Sequence, residues 1–430
     1  MTFIIRGQTA SFGADESEIA YNEKGAVVVG DDGRILWTGP FASLPPGFRG
    51  YPANDHSDCL VLPGFIDAHI HFPQYRMLAA PGKDLLDWLK RFTFPEEARY
   101  GDAEVAGVAA EIFLDRLLEH GTTSALVFCS VHKNCADCLF AAAQPRNMAI
   151  IAGKSLMDRN AIPALQDTAE SGARDSEQLY RAWHGKARLR YAVTPRFAAT
   201  STERQLHLSG ELLKSLPGAL MQTHLSESLA EIELVMGLFP ANKDYTDVYD
   251  RYGLLSERSL FAHGIHLSER ECACLSDTAS TVIHCPTSNT FLGSGLMSMP
   301  YLRQASRPIA VAIGTDIGGG TSYSMLATLG EAYKVQMLSG YKPTATELFH
   351  MATRGNARLL HLDEEIGALE PGKWADIVVL DPRATPVLAG RQELSRSLED
   401  VLFSLMILGD DRAVRATYVA GRKLHERPGP

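Results

Sequence analysis

The sequence predicts an α/β protein: a (β/α)8 TIM-like barrel with a small composite β-sandwich domain built from both termini. Three observations carry this. Strand-like and helix-like segments alternate over about 300 residues, which favours a parallel sheet covered by helices. Roughly eight strand candidates fall in that stretch, the number that closes a barrel. The two ends read instead as short strands around glycine turns, so they are expected to meet in one β domain beside the barrel.

Residues 1–66 form the N-terminal part of the expected sandwich, in which AVVVGDDGRILWTG places two apolar runs around Asp-Asp-Gly, a hairpin signal. The barrel is expected over 67–368. It opens on VLPGFIDAHIHF, read as a single buried strand that ends in polar residues. DAEVAGVAAEIFLDRLLEHG has apolar residues at helical spacing and a Gly stop. TTSALVF, MAIIAGKSL, ARLRYAVTPRF, ALMQTHLSE, SLFAHGIHL, STVIHCP and IAVAIGTDIGG follow as strand candidates with helical stretches between most of them. Residues 369–430, with ADIVVLDP and VRATYVAGRKL, return to strands around Gly turns.

Composition sets outer limits. The 430 residues are 45% hydrophobic and 21% charged, a balance that supports a large buried core. A formal net charge of −10 gives no global attraction to nucleic acid or to an anionic membrane. Seven scattered Cys do not read as a disulfide framework. The start, MTFIIRGQTASFGADESE, has no signal-peptide core, and no run of about 18 apolar residues offers a membrane span. A cytoplasmic protein is expected.

The chemistry lies in where polar residues fall. Nearly every candidate strand ends in His, Asp, Arg or Glu, and in a barrel those ends converge on the catalytic face. His69 and His71 close the first barrel strand; residues two apart on a strand point to the same side, so both rings can reach one ion. His224, His263 and Asp316 each follow an apolar run. Together these residues supply imidazoles and a carboxylate, donors that suit Zn²⁺ or a neighbouring divalent metal. Glu227, three residues after His224, fits either a proton shuttle above the metal or a first-turn helix carboxylate favoured by the helix dipole. The CxxC of Cys135 and Cys138 lacks a second ligand pair and is read as incidental, Cys272 and Cys274 as structural. The Gly318-Gly319-Gly320 run lacks the Lys-Ser/Thr of a P-loop and is read as a tight loop near the site. His184, His207 and His425 are read as surface or packed polar groups.

PGFIDAHIHFPQ, THLSE, FAHG, HCPTSN, GTDIGGG and PGKWADIVVLD resemble the amidohydrolase superfamily, over nearly the whole chain. HFPQY, LLDWLKRFTFPEE, TPRFA, HLSES and GTDIGGGTSYSML extend the resemblance to its guanine-deaminating branch. The resemblance implies one Zn²⁺ per chain, held by His69, His71, His224 and Asp316, with Glu227, His263 and Asp316 acting on the reacting groups. It implies that Gln74, Arg196 and Phe197 face a purine, and that Trp88 and a loop from Phe92 to Pro95 close the pocket. It also implies a homodimer.

In the expected chemistry, activated water gives its proton to Asp316 or Glu227 and attacks C2 of guanine. Glu227 protonates N3, His263 orients the nucleophile, and ammonia leaves xanthine behind. Arg196 is a permanent donor for O6, Gln74 can donate and accept at the ring edge, and Phe197 offers an aromatic face. Two alternatives stand beside this. One is another ring aminohydrolase or chlorohydrolase of the superfamily, acting on a pterin, pyrimidine or triazine. The other is a non-catalytic scaffold, which should have lost several donors.

Overall fold

The computed structural model describes residues 1–427. Four strands come first: β1 (Phe3–Phe12), β2 (Ile19–Val29), β3 (Ile35–Pro40) and β4 (Ala53–Pro63). The barrel strands are β5 (Phe65–His71), β6 (Thr122–Cys129), β7 (Ala149–Leu156), β8 (Arg190–Pro195), β9 (Leu220–Leu225), β10 (Ser259–His263), β11 (Thr281–His284) and β12 (Ala310–Ile313). Three more, β13 (Ile377–Leu380), β14 (Val414–Val419) and β15 (Arg422–Glu426), complete the chain. No helix among the described residues is long and apolar enough to cross a membrane.

β5 to β12 pair in chain order as one parallel eight-stranded sheet, and helices cover its outside, as expected. The helix Ala103–Glu119 shows why: Asp102 caps it by accepting from the Glu104 amide, and Ala106, Ala110, Phe113, Leu114 and Leu117 form one buried stripe. The termini meet in a second sheet, ordered β15-β14-β13-β4-β1-β2-β3, with the predicted hairpin as β2 and β3. This is one hydrogen-bonded sheet, but it curls over its own core. Phe3 on β1 and Tyr418 on β14 stack with ring centroids 6.3 Å apart, although β4 and β13 lie between their strands.

Two expectations are corrected. VLPGFIDAHIHF is two strands, not one: the chain passes from the terminal sheet into the barrel at Gly64, so the boundary expected at residue 67 falls inside β5. The region from 369 onward is also not strand throughout. Helices Pro386–Gln392 and Leu398–Leu408 interrupt it, and the second packs Leu402, Leu405 and Phe403 toward helix Met325–Leu338, with Phe403 edge-on to Tyr333.

The seam between β5 and β12 positions the site. These strands do not pair in a regular ladder. Asn356 bridges them instead, its amide donating to Ile66 O (2.7 Å) and Ile313 O (2.8 Å) and accepting from the Ile313 N–H (3.0 Å). The Asp67 carboxylate accepts from the amides of His69 and Thr315. Gly314 allows the close approach, because a Cβ there would lie 2.7 Å from His69 N. Asn356→Ala would leave three buried backbone groups unpaired, and we expect it to cost about 3 kcal/mol or more, read as a lower denaturation midpoint. A midpoint equal to the parent's would show that the seam closes without it.

Candidate active site

A break in strand alternation aims the first two histidines. Ile66 and Ala68 belong to the apolar layer inside the barrel, whereas Ile70 packs outside with Ala106 and Ala110. The pairing with β6 shifts register between Asp67 and Ile70, and that bulge turns His69 and His71 inward. His224 is the penultimate residue of β9, and His263 ends β10 with φ of 73°. Asp316 follows β12 with φ of 54°. The left-handed backbone at His263 and Asp316 is unusual for non-glycine residues and is held by the surrounding structure.

The side chains gather at one point. His71 Nε2 lies 3.2 Å from His224 Nε2 and 3.3 Å from Asp316 Oδ1, and His69 Nε2 lies 3.2 Å from the same oxygen. His263 Nε2 is 3.8 Å from Asp316 Oδ2 and 3.4 Å from Glu227 Oε2. Neighbouring groups fix two rings: His224 Nδ1 donates to Arg196 O (2.7 Å) and His263 Nδ1 to Asn289 Oδ1 (2.9 Å), so both Nε2 atoms face the cluster. Burial holds His71 down to about 3, and burial with the neighbouring imidazoles holds His224 well below the usual histidine range. Burial works against ionisation of Asp316, but His69 and His71 beside it overcome this and keep it well below the usual carboxylate range.

This donor set fits a divalent cation. His69 has both ring nitrogens buried without a hydrogen-bond partner, and His71 has Nδ1 so. Imidazoles and a carboxylate converging on one point are the donor types a divalent cation takes. His69, His71 and His224 lie close enough to share an ion, and so do His69, His263, Asp316 and Cys285. Cys285 escaped the sequence reading, although it stands in the HCPTSN stretch. All seven cysteines are free.

Beside the cluster is a cleft lined by His71, Gln74, Trp88, Arg196, Phe197 and Glu227 among others. Of the residues expected to hold the ion, act on the reacting groups or face the purine, all but His69 border this one cleft. Glu227 is pushed up to about 8 by burial and by Asp316, and Ser294 Oγ donates to its Oε1 (3.1 Å). Glu227 precedes the Ser228 cap, so it is not the first-turn carboxylate. That place belongs to Glu231, which accepts from the amides of Glu227 and Ser228 and is pushed up to about 7 by burial and by Glu227.

The expected Phe92–Pro95 loop is helical. Residues 85–98 run as consecutive helical turns, capped by Asp84, with Leu85, Trp88, Leu89 and Phe94 buried. Trp88, Leu85 and Leu89 line the cleft; Phe92–Pro95 do not. The glycine run is a tight loop, since a Cβ at Gly320 would meet Thr315 O at 1.8 Å, and the Gly318 N–H donates to Gln74 Oε1 (2.9 Å). Sequence reasoning missed Glu97. It is fully buried and accepts from Arg196 (2.8 and 2.9 Å) and from Gln74 Nε2 (2.8 Å).

Against known proteins, the profile of the Amidohydrolase family matches residues 60–424. The guanine deaminase of Escherichia coli (strain K12) is 45% identical over 415 residues, which is 96% of this chain and 93% of that protein. The fold is similar to that of a guanine deaminase from Bradyrhizobium japonicum, with a TM-score of 0.95, 34% identity and 100% of both chains covered. It is also similar to that of a guanine deaminase from C. acetobutylicum with bound guanine in the active site, with a TM-score of 0.90, 28% identity, and 99% of this chain and 100% of the other covered.

Proposed function

The chain belongs to the amidohydrolase family, and from that premise we propose that it hydrolyses guanine to xanthine and ammonia. One observation carries the reading: a cluster of metal donors and a wall of purine-compatible groups border the same cleft. In our reading His69, His71, His224 and Asp316 hold one zinc ion per chain. Such an ion supplies a nucleophile at neutral pH, because binding lowers the pKa of water from about 15.7 to roughly 7.

The remaining work falls to side chains. Glu227 is the proton carrier; a carboxyl that keeps its proton until about 8 can deliver it to N3 of the ring and accept another. Asp316, held ionised, is the alternative first proton acceptor. His263, anchored by Asn289, orients the attacking oxygen from the side of Glu227. Arg196 donates to O6 of guanine, Gln74 meets the ring edge, and Phe197 with Trp88 covers the ring and excludes water. The same reading makes the protein a cytoplasmic homodimer that serves purine breakdown.

The direct test is incubation of the zinc-loaded protein with guanine, following xanthine and ammonia together. Equal amounts of both products are expected. A panel of pterins, pyrimidines and triazines run in parallel decides the alternative: rapid turnover of one of these with guanine inert would overturn the substrate assignment.

A further inference from the structure

Among the residues that border the cleft, Arg196 is the only Arg or Lys. It is 2% exposed, and an uncompensated guanidinium there would be a strong anion-binding group. Behind it, and outside the cleft lining, lies Glu97. Its carboxylate takes Arg196 Nη1 on both oxygens, at 2.8 and 2.9 Å, and is itself completely buried. The helix Phe94–Ala98 that carries it is tied to the end of β6 by Ser130 Oγ, which donates to Glu97 O (2.9 Å).

Glu97 also sets the polarity of Gln74. Oε1 of Glu97 accepts from Gln74 Nε2 (2.8 Å), while Gln74 Oε1 accepts from the Gly318 N–H (2.9 Å). A flipped Gln74 amide would place its NH₂ against the Gly318 N–H and its carbonyl against a carboxylate, so only one orientation is hydrogen-bonded. One N–H and one lone pair of Gln74 remain for a ligand.

We propose that Glu97 is a positioning residue that cancels the charge of Arg196 and thereby makes the pocket prefer the neutral aminopurine to its acidic dioxo product. This rests on the guanine reading above. Hydrolysis replaces the electron-donating 2-amino group by a carbonyl and leaves a proton on N3 beside it, so xanthine loses a proton more readily than guanine. A lone buried Arg would retain the xanthine anion through charge-assisted hydrogen bonds. With Glu97 behind it, Arg196 donates to the neutral O6 of guanine but gives no net charge to an anion, and product departs.

The test compares xanthine with hypoxanthine, which stays neutral, as ligands of the zinc-loaded enzyme at mildly alkaline pH. Dissociation constants are measured by calorimetry for the parent, Glu97→Gln and Glu97→Asp. Glu97→Gln is expected to bind xanthine about tenfold more tightly while hypoxanthine shifts by less than about threefold, and Glu97→Asp is expected to stay near the parent. Should Glu97→Gln not fold, Arg196→Gln carries the converse: xanthine weakened at least about tenfold relative to hypoxanthine. Equal shifts for both ligands, or none, would overturn the assignment. A parent that fails to turn over guanine would overturn the guanine reading itself, whereas an active parent with an unchanged ligand ratio in the variants removes only the role of Glu97.

Discussion

Glu227→Gln is expected to lower kcat by about a thousandfold while zinc content and melting temperature stay near those of the parent. The substitution keeps the shape of the side chain. A glutamine carbonyl can still accept from Ser294 Oγ, and the backbone N–H of residue 227 still donates to Glu231. What is lost is a titrating group 3.4 Å from His263 Nε2, beside the cleft in which the ring would sit. Because Glu227 is not among the donors proposed to hold the ion, metal analysis separates loss of proton transfer from loss of metal. A variant that turns over within about threefold of the parent would assign the proton to another group, and Asp316 would then be the candidate.

The positions of the donors were legible because two regularities coincide. A strand alternates its faces, and a barrel collects the ends of its strands, so a polar residue closing an apolar run is marked. His224, His263 and Asp316 were found in this way. Direction was harder to read. The i and i+2 rule puts His69 and His71 on one side of β5, but the bulge after Asp67 decides that this side is the interior. Nothing in DAHIH announces the bulge, because its cause lies in the pairing with β6.

Glu97 was missed for a related reason. Glu96 and Glu97 are adjacent and alike in sequence, yet about 100° of helical rotation sends one to the surface and the other to the core. Glu96 pairs with Arg76 and Arg99 near solvent, whereas Glu97 takes Arg196, the residue just after β8 and far away in the chain. Asn289 and Asn356 escaped similarly: one orients His263, the other bridges β5 and β12, and both act on partners far off in sequence. What local pattern supplies is the list of groups that do chemistry. What it withholds is the set of neutral or buried partners that aim them, since these are chosen by contacts between distant segments.

Stripping the metal is expected to abolish turnover and to lower the melting temperature, with both restored by one equivalent of Zn²⁺ per chain. The donors explain the link between the two. His71 Nε2 lies 3.2 Å from His224 Nε2 and 3.3 Å from Asp316 Oδ1, His69 Nε2 lies 3.2 Å from the same oxygen, and neither ring nitrogen of His69 has a hydrogen-bond partner. Without a cation, the Nε2 atoms of His71 and His224 have only each other, at 3.2 Å, and Asp316 to meet, and both nitrogens of His69 stay unpaired. A cation that binds only the folded chain relieves this. By mass action it adds about 4 kcal/mol at a thousandfold excess over its dissociation constant, so the melting temperature should rise with free Zn²⁺. His71→Ala and Asp316→Ala should each weaken retention of the ion and flatten that dependence. Undiminished guanine turnover by protein shown by elemental analysis to hold no metal would leave the hydrolysis without its nucleophile and sink the proposed mechanism.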